Sequence, residues 1–372
     1  MIRLVFLARL FYFLWRRDPV RRMEMKKIEL SRREATLPGM KMRALSIAAL
    51  CAGFAAMLLP LCGPVFAEQA GDTQSTPAAR REITDETGRK LKLPQEVDRV
   101  ISLAPNLTEI VFALGDENRL AADTDYCDYP PEAAQKPHVG GTVNPNLEEV
   151  AALMPDVILA TSINRRETVS ALDRLGFPVF ITDPHSVDEM IATVEHVGEA
   201  LGVEKSAAAV AGDLRSRLGD LDRRLAGAPS RRVLFVVWTE PLISIGSGTF
   251  IADALRRAGG RSVVDTKIEW PHVSLEEIVR LQPEVLVFAS AHAGDTQHEI
   301  ESLRNLPGWR SLKAIQHSDI VVISDAINRP APRMVDAIEA LARALHPEAF
   351  PAGGTAAASV KSSVEEARSC AR

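Results

Sequence analysis

One unit occurs twice in this chain of 372 residues, and the repeat constrains the fold more than any other feature. The first copy, residues 146–160, is NLEEVAALMPDVILA, and the second, residues 274–288, is SLEEIVRLQPEVLVF. Each copy opens with a helix-capping residue, places glutamate three positions later and continues with apolar residues at helical spacing. A proline then ends the helix, and an unbroken apolar run follows, which is typical of a strand buried in a parallel sheet. The repeat therefore predicts two similar α/β lobes.

The two glutamates at the start of each copy differ in their expected roles. Glu149 and Glu277 stand at the position that closes a capping box. Glu148 and Glu276 have no such local role. Local physics favours stabilisation of the helix dipole, worth about 0.3–1 kcal/mol. The alternative is a matched pair of acidic contacts, one on each lobe, for a basic partner.

The overall composition argues against two classes of protein. The chain has 44 basic and 49 acidic residues, a net charge of −5 and 5% aromatic residues, which is unlike a nucleic-acid binder. The body of the chain also contains no apolar run of about 18 residues, the length that a membrane-spanning helix needs. We therefore expect neither a nucleic-acid partner nor a polytopic membrane protein.

The two ends of the chain are expected to lie outside the fold. Residues 1–39 are predicted to be an upstream mis-start. Residues 40–67 have a basic start, an apolar stretch and a small-x-small site ending at Ala67, which are the features of a signal peptide. We expect cleavage after Ala67 and export to the periplasm. Residues 68–81 are a predicted linker, and the small, polar residues 351–372 are a predicted disordered tail.

Cysteine use gives little support for a metal or redox site. After the expected cleavage only Cys127 and Cys370 remain, and no CxxC motif or cysteine–histidine cluster accompanies them. A disulfide between these two cysteines is left open.

Secondary-structure patterns divide the rest of the chain into three parts. Residues 82–203 are a predicted N-terminal lobe that ends with a helix over 187–201, and residues 229–350 are a predicted C-terminal lobe that ends with a helix over 334–345. Residues 204–228 are rich in alanine and charge and have no strand signal, so they predict one helix of about 22 residues and about 33 Å. That length suits a rigid strut between the lobes, although an ordinary amphipathic surface helix has the same pattern.

Candidate ligand-binding residues occur in the loops that follow the predicted strands. In open parallel sheets, ligands bind outside the carboxyl ends of the strands. Two facing lobes would place these loops around a shared cleft, and their aromatic side chains suit a large, flat, partly apolar ligand. Packing of the lobes against each other is the alternative role. The candidates are Pro105, Tyr126, Tyr129, Trp238, Trp270, Asp325, Ala326, Ile327, Asn328 and Arg329.

Catalytic, metal and cofactor sites are not predicted. The chain has no Gly-x-Ser-x-Gly motif, and its eight histidines show no paired metal-ligand spacing. The glycines at 246 and 248 lack the third glycine of a dinucleotide fingerprint. His272, beside Trp270, is the histidine to test first for ligand contact. We therefore expect no enzyme, and an exported hydrolase is a distant alternative.

Three segments carry a resemblance to a known family. They are VISLAPNLTE at 100–109, the stretch from YCDYPP at 126 to NLE at 148, and WPHVSLE at 270–276 together with the loop 325–333. The chain resembles the periplasmic substrate-binding proteins of iron-siderophore and cobalamin uptake, most of all those that bind cobalamin. The resemblance covers about residues 82–348. It implies a class III periplasmic binding protein, with two Rossmann-like lobes joined by a single long backbone helix and little hinge motion.

The resemblance also implies a partner and a ligand. Glu148 and Glu276 match glutamates that dock to the membrane permease of an ABC importer. Tyr126 and the segment 325–329 match cobalamin-contacting positions, and Trp270 matches a family tryptophan near the cleft. Thr142 stands where the cobalamin receptors have a tryptophan. The matching positions lead us to expect a monomeric receptor for cobalamin or a related corrinoid. The departure at Thr142 leaves haem or a ferric siderophore as the alternative ligand.

Overall fold

The computed structural model describes residues 79–350 except Arg165, Ala291 and His292. The predictions for residues 1–39, 40–67 and 351–372, and most of the predicted linker 68–81, lie outside the described residues. Cys370 also lies outside them, so the disulfide that was left open is not tested. No helix in the described part is long and apolar enough to cross a membrane.

The first lobe contains a hairpin and a parallel sheet. The hairpin pairs β1 (Arg80–Thr84) with β2 (Lys90–Pro94), and Gly88 in its turn has a φ of 83°, which glycine adopts readily. The sheet has four parallel strands in the order β4-β3-β5-β6. These strands are β3 (Val100–Ser102), β4 (Leu120–Ala122), β5 (Val157–Thr161) and β6 (Val179–Thr182).

The second lobe repeats this topology. Its sheet also has four parallel strands, in the order β10-β7-β11-β12, so each lobe has the connectivity of the other. A short antiparallel pair, β8 with β9, follows the first strand of this lobe. The strands are β7 (Arg231–Val236), β8 (Trp238–Thr239), β9 (Leu242–Ile243), β10 (Gly260–Ser262), β11 (Val285–Ser290) and β12 (Ile320–Ser324). Two similar α/β lobes are thereby confirmed.

Helices connect the strands within each lobe. Those of the first lobe are α1 (Pro105–Ala113), α2 (Leu147–Ala152), α3 (Arg166–Arg174) and α4 (Val187–Leu201). A long helix, α5 (Glu204–Leu225), follows. Those of the second lobe are α6 (Phe250–Arg257), α7 (Leu275–Leu281), α8 (Ala293–Leu303), α9 (Lys313–Gln316) and α10 (Met334–Leu345). The helices predicted at 187–201 and 334–345 are confirmed at both ends.

The repeated unit forms the same structure in both lobes. The Asn146 side chain accepts hydrogen bonds from the backbone of Glu148 and Glu149, and the Ser274 side chain accepts one from Glu277. After each helix the chain takes a positive φ directly before the proline, 44° at Met154 and 46° at Gln282. This left-handed residue ends each helix before the proline is reached.

Only half of the predicted capping box is present. The N-cap side chains bond as predicted, but the backbone N–H of Asn146 donates to the carbonyl of Val139 at 2.7 Å rather than to Glu149. The Glu277 carboxylate instead pairs with Arg280 at 3.7 Å. The prediction that Glu149 closes the box was therefore wrong, because the incoming loop already satisfies the N–H group that the glutamate would have bound.

A carboxylate–arginine clamp accompanies each copy of the repeat. In the first lobe, Asp156 accepts from the backbone of Arg99 at 2.9 Å, and the Arg99 side chain donates to the Leu153 carbonyl. In the second, Glu284 accepts from the backbone of Arg232 at 3.1 Å, and the Arg232 side chain donates to the Leu281 carbonyl. Each clamp joins the start of the first strand of the lobe's parallel sheet, β3 or β7, to the end of the repeat helix.

The long helix α5 contacts both lobes. Against α4 of the first lobe the backbones approach closely, since a Cβ placed at Gly198 would lie 2.2 Å from the Cβ of Ala207. Against α10 of the second lobe, Arg217 pairs with Asp336 at 2.5 Å and Glu339 at 2.9 Å. The predicted helix is confirmed over 22 residues. Its contacts on both sides favour the role of a strut over that of an ordinary surface helix.

One hydrophobic core runs through both lobes. It includes residues of the first lobe, such as Leu107 and Val194, and residues of the second, such as Ile251 and Leu341. Each lobe has in addition a smaller core of its own, around Ile158 in the first lobe and Leu286 in the second. Because apolar packing is continuous from lobe to lobe, a large hinge movement would expose buried apolar surface.

Candidate functional site

Five charged residues from both lobes meet in one cluster, here called the junction cluster. The first lobe contributes Glu109 from α1 and Asp128 from the loop after β4. The second contributes Asp325, Arg329 and Arg333, which follow β12. The cluster therefore joins the two lobes at the carboxyl ends of their sheets, where ligands bind in folds of this kind.

Glu109 is the buried centre of the junction cluster. Its side chain is 3% exposed, and it accepts from Arg329 at 3.2 Å and from Arg333 at 2.8 and 3.1 Å. The Arg333 guanidinium thus bonds both carboxylate oxygens, a two-point geometry that is strong and directional. A buried carboxylate needs such compensation, because an unpaired charge is costly away from water.

Arg329 is held by carboxylates of both lobes. Besides Glu109 it contacts Asp128 at 2.6 Å and Asp325 at 3.4 Å. Burial opposes the charged form of Arg329, but the hydrogen bond to Asp128 and the surrounding negative charges outweigh it and hold the pKa of Arg329 above its ordinary value. Burial also works against the charge of Asp128, yet Arg329 keeps the pKa of that carboxyl below its ordinary value. Arg329 and Asp128 therefore both remain ionised at neutral pH.

Tyr129 adds an aromatic surface to the junction cluster. The Arg333 guanidinium lies 4.1 Å from the centre of the Tyr129 ring, which is cation–π geometry. The tyrosine remains 42% exposed. It follows Asp128 in the chain and precedes a cis proline, Pro130. An exposed ring fixed by a paired arginine is a suitable surface for a flat ligand.

The structure ties three of the predicted ligand-binding residues, Tyr129, Asp325 and Arg329, to the junction cluster. Asn328 is exposed beside them. Ala326 and Ile327 are 2% and 0% exposed and belong to the shared core. Their side chains therefore pack inward, and only their backbone is available to a ligand. They entered the prediction as part of a continuous loop, whereas the short 3₁₀ helix at Asp325–Asn328 turns these two consecutive residues inward.

The other predicted residues lie in neighbouring loops. Pro105 begins α1 and is half-buried, as is Tyr126 in the loop after β4. Trp238 and Trp270 lie near each other in the second lobe, because β8 pairs with β9 and Ile243 of β9 bridges to His272. Trp270 is half-buried against the shared core, and His272 is exposed. These residues border the same strand ends as the junction cluster.

A buried carboxylate, Asp123, paired with the exposed His138, closes the loop that carries Tyr126, Asp128 and Tyr129. Asp123 is fully buried, and its Oδ1 lies 2.6 Å from Nδ1 of His138. Its backbone also bonds across the loop base, to Pro137 at 3.0 Å and Val139 at 2.8 Å. Burial raises the pKa of Asp123 to about 6, against the lowering effect of the hydrogen bond to His138.

Cys127 lies inside this loop and has a packing role. Its thiol is 3.2 Å from the Thr108 hydroxyl and 3.3 Å from the Thr124 hydroxyl. Burial, together with the negative charge of Asp123, raises the pKa of the Cys127 thiol to about 11. Because the thiolate is the reactive form, this cysteine is unreactive at neutral pH.

Two exposed isoleucines in loops were not predicted from the sequence. Ile163, after β5, is 42% exposed, and Ile268, two residues before Trp270, is 63% exposed. Ile163 precedes Asn164, whose side chain donates to the carbonyl of Thr142 at 2.6 Å. Thr142 itself is only 6% exposed, so the position of the expected tryptophan is closed by a small side chain and an exposed isoleucine lies nearby.

Glu109 and Arg333 were also missed as individual site residues. Glu109 lies among the buried residues Leu107, Ile110 and Val111 of α1, and a charge on a buried helix face is a signal that a partner is required. Its partner Arg333 is 224 residues away, and nothing in the local pattern specifies such a distant contact.

The two predicted docking glutamates occupy matching positions. Glu148 and Glu276 are both exposed in the first turn of the repeat helices α2 and α7. Across the described residues, no ion pair involves either carboxylate. The geometry thus leaves each glutamate available to an external cation, one on each lobe.

A cavity of about 620 Å³ is lined mainly by residues of the second lobe, together with His185 and Ser186 of the first. It is bordered by the start of α6 and by β10, and it shares no residue with the junction cluster. Within the described ranges, no group of three or more histidine, cysteine or acidic residues could hold a metal ion.

The fold is that of a class III periplasmic binding protein. It has two parallel sheets of the same topology, a long helix in contact with both lobes and a charged cluster where the lobes meet. The chain belongs to the periplasmic binding protein family, whose sequence pattern matches residues 100–326.

Known relatives support this membership. A vitamin B12-binding protein of Vibrio cholerae is 30% identical over 253 residues, which are 67% of this chain and 89% of the relative. The crystal structure of the periplasmic vitamin B12 binding protein of Vibrio cholerae superposes with a TM-score of 0.60 at 29% identity, over 68% of this chain and 97% of that one. A periplasmic haem binding protein from Pseudomonas aeruginosa gives 0.62 at 25% identity, over 69% and 95%.

Proposed function

We propose that this protein is the extracytoplasmic substrate-binding component of an ABC importer, and that it captures cobalamin or a related corrinoid. The observation that carries the proposal is the junction cluster with its exposed Tyr129 ring, placed where two α/β lobes meet. The vitamin B12-binding relatives support the choice of ligand. The protein is exported through the signal peptide at 40–67, acts in the periplasm and works as a monomer.

Capture requires no covalent chemistry under this proposal. The rings of Tyr126, Tyr129, Trp238 and Trp270, with Pro105, cover the apolar faces of the ligand and remove them from water. Asp325, Asn328 and Arg329 contact its polar edge, and Ala326 and Ile327 contribute only backbone groups. The apolar side chains of Ile163 and Ile268 widen the apolar surface.

Haem is the second candidate ligand. The small, buried Thr142 supports it, because the stacking tryptophan expected of a cobalamin receptor is missing there. The similarity to the haem binding protein of Pseudomonas aeruginosa points in the same direction. Both ligands contain a tetrapyrrole-type macrocycle, but the corrinoid is bulkier and carries carboxamide side chains, whereas haem is a flat ring with two carboxylates at its edge.

Delivery depends on Glu148 and Glu276. We infer that these two exposed carboxylates, one on each repeat helix, dock to basic side chains of a membrane permease. Their matching positions on the two lobes support a two-point contact. The surface is separate from the junction cluster, so docking and ligand binding should respond to different substitutions.

Calorimetry on the mature chain that begins at Glu68 tests the proposal. Cyanocobalamin, hemin and a ferric siderophore are titrated separately, and we expect the tightest binding for cyanocobalamin. Tighter binding of hemin would select the second candidate. Absence of binding for all three ligands would contradict the proposed function.

A further inference from the structure

The junction cluster contains more negative than positive charge. Three carboxylates, on Glu109, Asp128 and Asp325, share two guanidinium groups, on Arg329 and Arg333. The arginines are not spare cations, because each contacts at least two carboxylates. Glu109 accepts close hydrogen bonds from both of them, and Asp325 contacts both at 3.4 and 4.0 Å.

Glu109 also differs from the other two carboxylates in its burial. Its side chain is 3% exposed, compared with 67% for Asp128 and 24% for Asp325. Water can therefore solvate Asp128 if its arginine moves away, but it cannot solvate Glu109 without opening the junction between the lobes. An anion that took an arginine from Glu109 would leave this carboxylate buried and unpaired, which is strongly unfavourable.

This asymmetry has a consequence for the charge of the ligand. A ligand with carboxylate groups, such as the propionates of a haem, needs cationic partners, and the junction cluster offers only arginines that are already neutralised. A ligand with carboxamide groups, such as a corrinoid, can form hydrogen bonds with the accessible sides of the arginines and carboxylates without breaking the ion pairs between them. The same cluster thus treats tetrapyrroles with carboxamide edges and tetrapyrroles with carboxylate edges differently.

We propose that Glu109 is a specificity-determining residue, which neutralises Arg329 and Arg333 and so makes the site select carboxamide-bearing over carboxylate-bearing tetrapyrroles. This inference rests on the proposed function, because it places the ligand beside the junction cluster. A purely structural role, in which Glu109 only ties the lobes together, is the competing explanation.

A matched pair of ligands separates these two roles. Cyanocobalamin and its monocarboxylic acid, in which one peripheral carboxamide is hydrolysed, differ by a single negative charge. Both are titrated by calorimetry into the mature chain and into the Glu109→Gln variant, which keeps the shape of the side chain and removes its charge. Hemin is titrated as a third ligand that carries two carboxylates.

We expect the variant to bind the monocarboxylic acid about tenfold more tightly relative to cyanocobalamin than the parent protein does, since one unit charge is unmasked at close range. Affinity for hemin should rise at least as much. The affinity for cyanocobalamin itself should change by less than about threefold. The gain should shrink as the salt concentration is raised, as screening requires.

Two further variants make the result decisive. Glu195→Gln removes the same charge from the bidentate pair with Arg215, away from the junction, and should leave the ligand ratio unchanged. Asp128→Asn removes one of the three carboxylates that contact Arg329, at an exposed position, and should shift the ratio in the same direction by a smaller factor. If Glu109→Gln does not fold, Asp128→Asn takes its place in the test.

Equal losses for both corrinoids, or an unchanged ratio in both junction variants, would overturn the inference and leave Glu109 with a structural role. Failure of the proposed function has a different outcome, in which the parent protein does not bind cyanocobalamin. In that case the hemin titrations still decide the inference, because hemin affinity must rise in Glu109→Gln and stay constant in Glu195→Gln.

Discussion

The two lobes share a backbone plan and differ in the loops that follow their strands. Both have the same strand order, an N-capped repeat helix, a left-handed residue before proline and a carboxylate–arginine clamp. In the junction cluster, however, the first lobe contributes only carboxylates, whereas both arginines come from the second. The repeat thus gives both lobes the same backbone structure, and the complementary charges of the junction cluster make each lobe specific for the other.

Removal of the Glu109 carboxylate should have the largest effect. We expect Glu109→Ala to lower the free energy of unfolding by about 3–5 kcal/mol, because Arg329 and Arg333 would lose a buried partner. Urea unfolding followed by circular dichroism measures this loss. The matched control is Glu195→Ala, which breaks an exposed pair with Arg215 and should cost less than about 1 kcal/mol. Equal losses in the two variants would show that the junction does not hold the lobes together.

The buried carboxyl of Asp123 in the first lobe should make the stability of the protein depend on pH. The pKa of Asp123 is about 6 in the folded protein, above the ordinary value near 3.9. Between these values the folded state binds more protons than the unfolded state, so the free energy of unfolding should fall by about 1–3 kcal/mol from pH 4 to pH 6. Urea titrations at several pH values measure this slope.

The Asp123→Asn variant is the control for that slope. Its amide has nearly the same shape and does not ionise, so the decline between pH 4 and pH 6 should flatten. An unchanged slope in the variant would assign the decline to other groups.

The two clamps allow a direct comparison of the lobes. Asp156 accepts two backbone N–H groups, from Asp98 and Arg99, whereas Glu284 accepts one, from Arg232. We therefore expect Asp156→Ala to lower the free energy of unfolding by about 1–2 kcal/mol and Glu284→Ala by about 1 kcal/mol. Urea unfolding of both variants shows which substitution lowers the free energy of unfolding more. A larger loss for Glu284→Ala would mean that the number of hydrogen bonds does not determine the strength of the clamps.

The docking glutamates should have the smallest effect on the protein itself. Glu148→Ala and Glu276→Ala should each change the free energy of unfolding by less than about 0.5 kcal/mol, because both side chains are exposed. Together they should abolish ligand transport in cells while leaving ligand affinity intact. Glu149→Ala, one residue along the same helix, is the matched control and should leave transport unchanged. A collapse of ligand affinity in the double variant would place these residues in the ligand site instead of the docking surface.

Local patterns were sufficient to predict much of the fold. The helix Val187–Leu201 was predicted to the residue, since Ser186 caps its start and Gly202, with a φ of 73°, ends it. The repeat predicted the number of lobes because each copy contains its own cap, stop and buried strand. Such signals act within a few residues of one another, so a sequence shows them directly.

The site was less predictable, because its contacts are distant in the sequence. The loop 325–329 could be chosen from its place after a strand, but the inward packing of Ala326 and Ile327 depends on a core assembled by both lobes. Likewise, the partners of Glu109 lie 220 and 224 residues away. Residue type suggested that Glu109 needed a cation, and only the assembled fold identified which one.

The core shared by the lobes has a consequence for cooperativity. Each lobe looks like a separable module in the sequence, yet Leu107 and Val194 of the first belong to the same apolar cluster as Ile251 and Leu341 of the second. A fragment that ended near residue 203 would present this apolar surface to water and would tend to aggregate rather than fold. The lobes should therefore melt in a single transition, and an exchange of one lobe between relatives should succeed only when α5 and its contacts on both sides are exchanged as well.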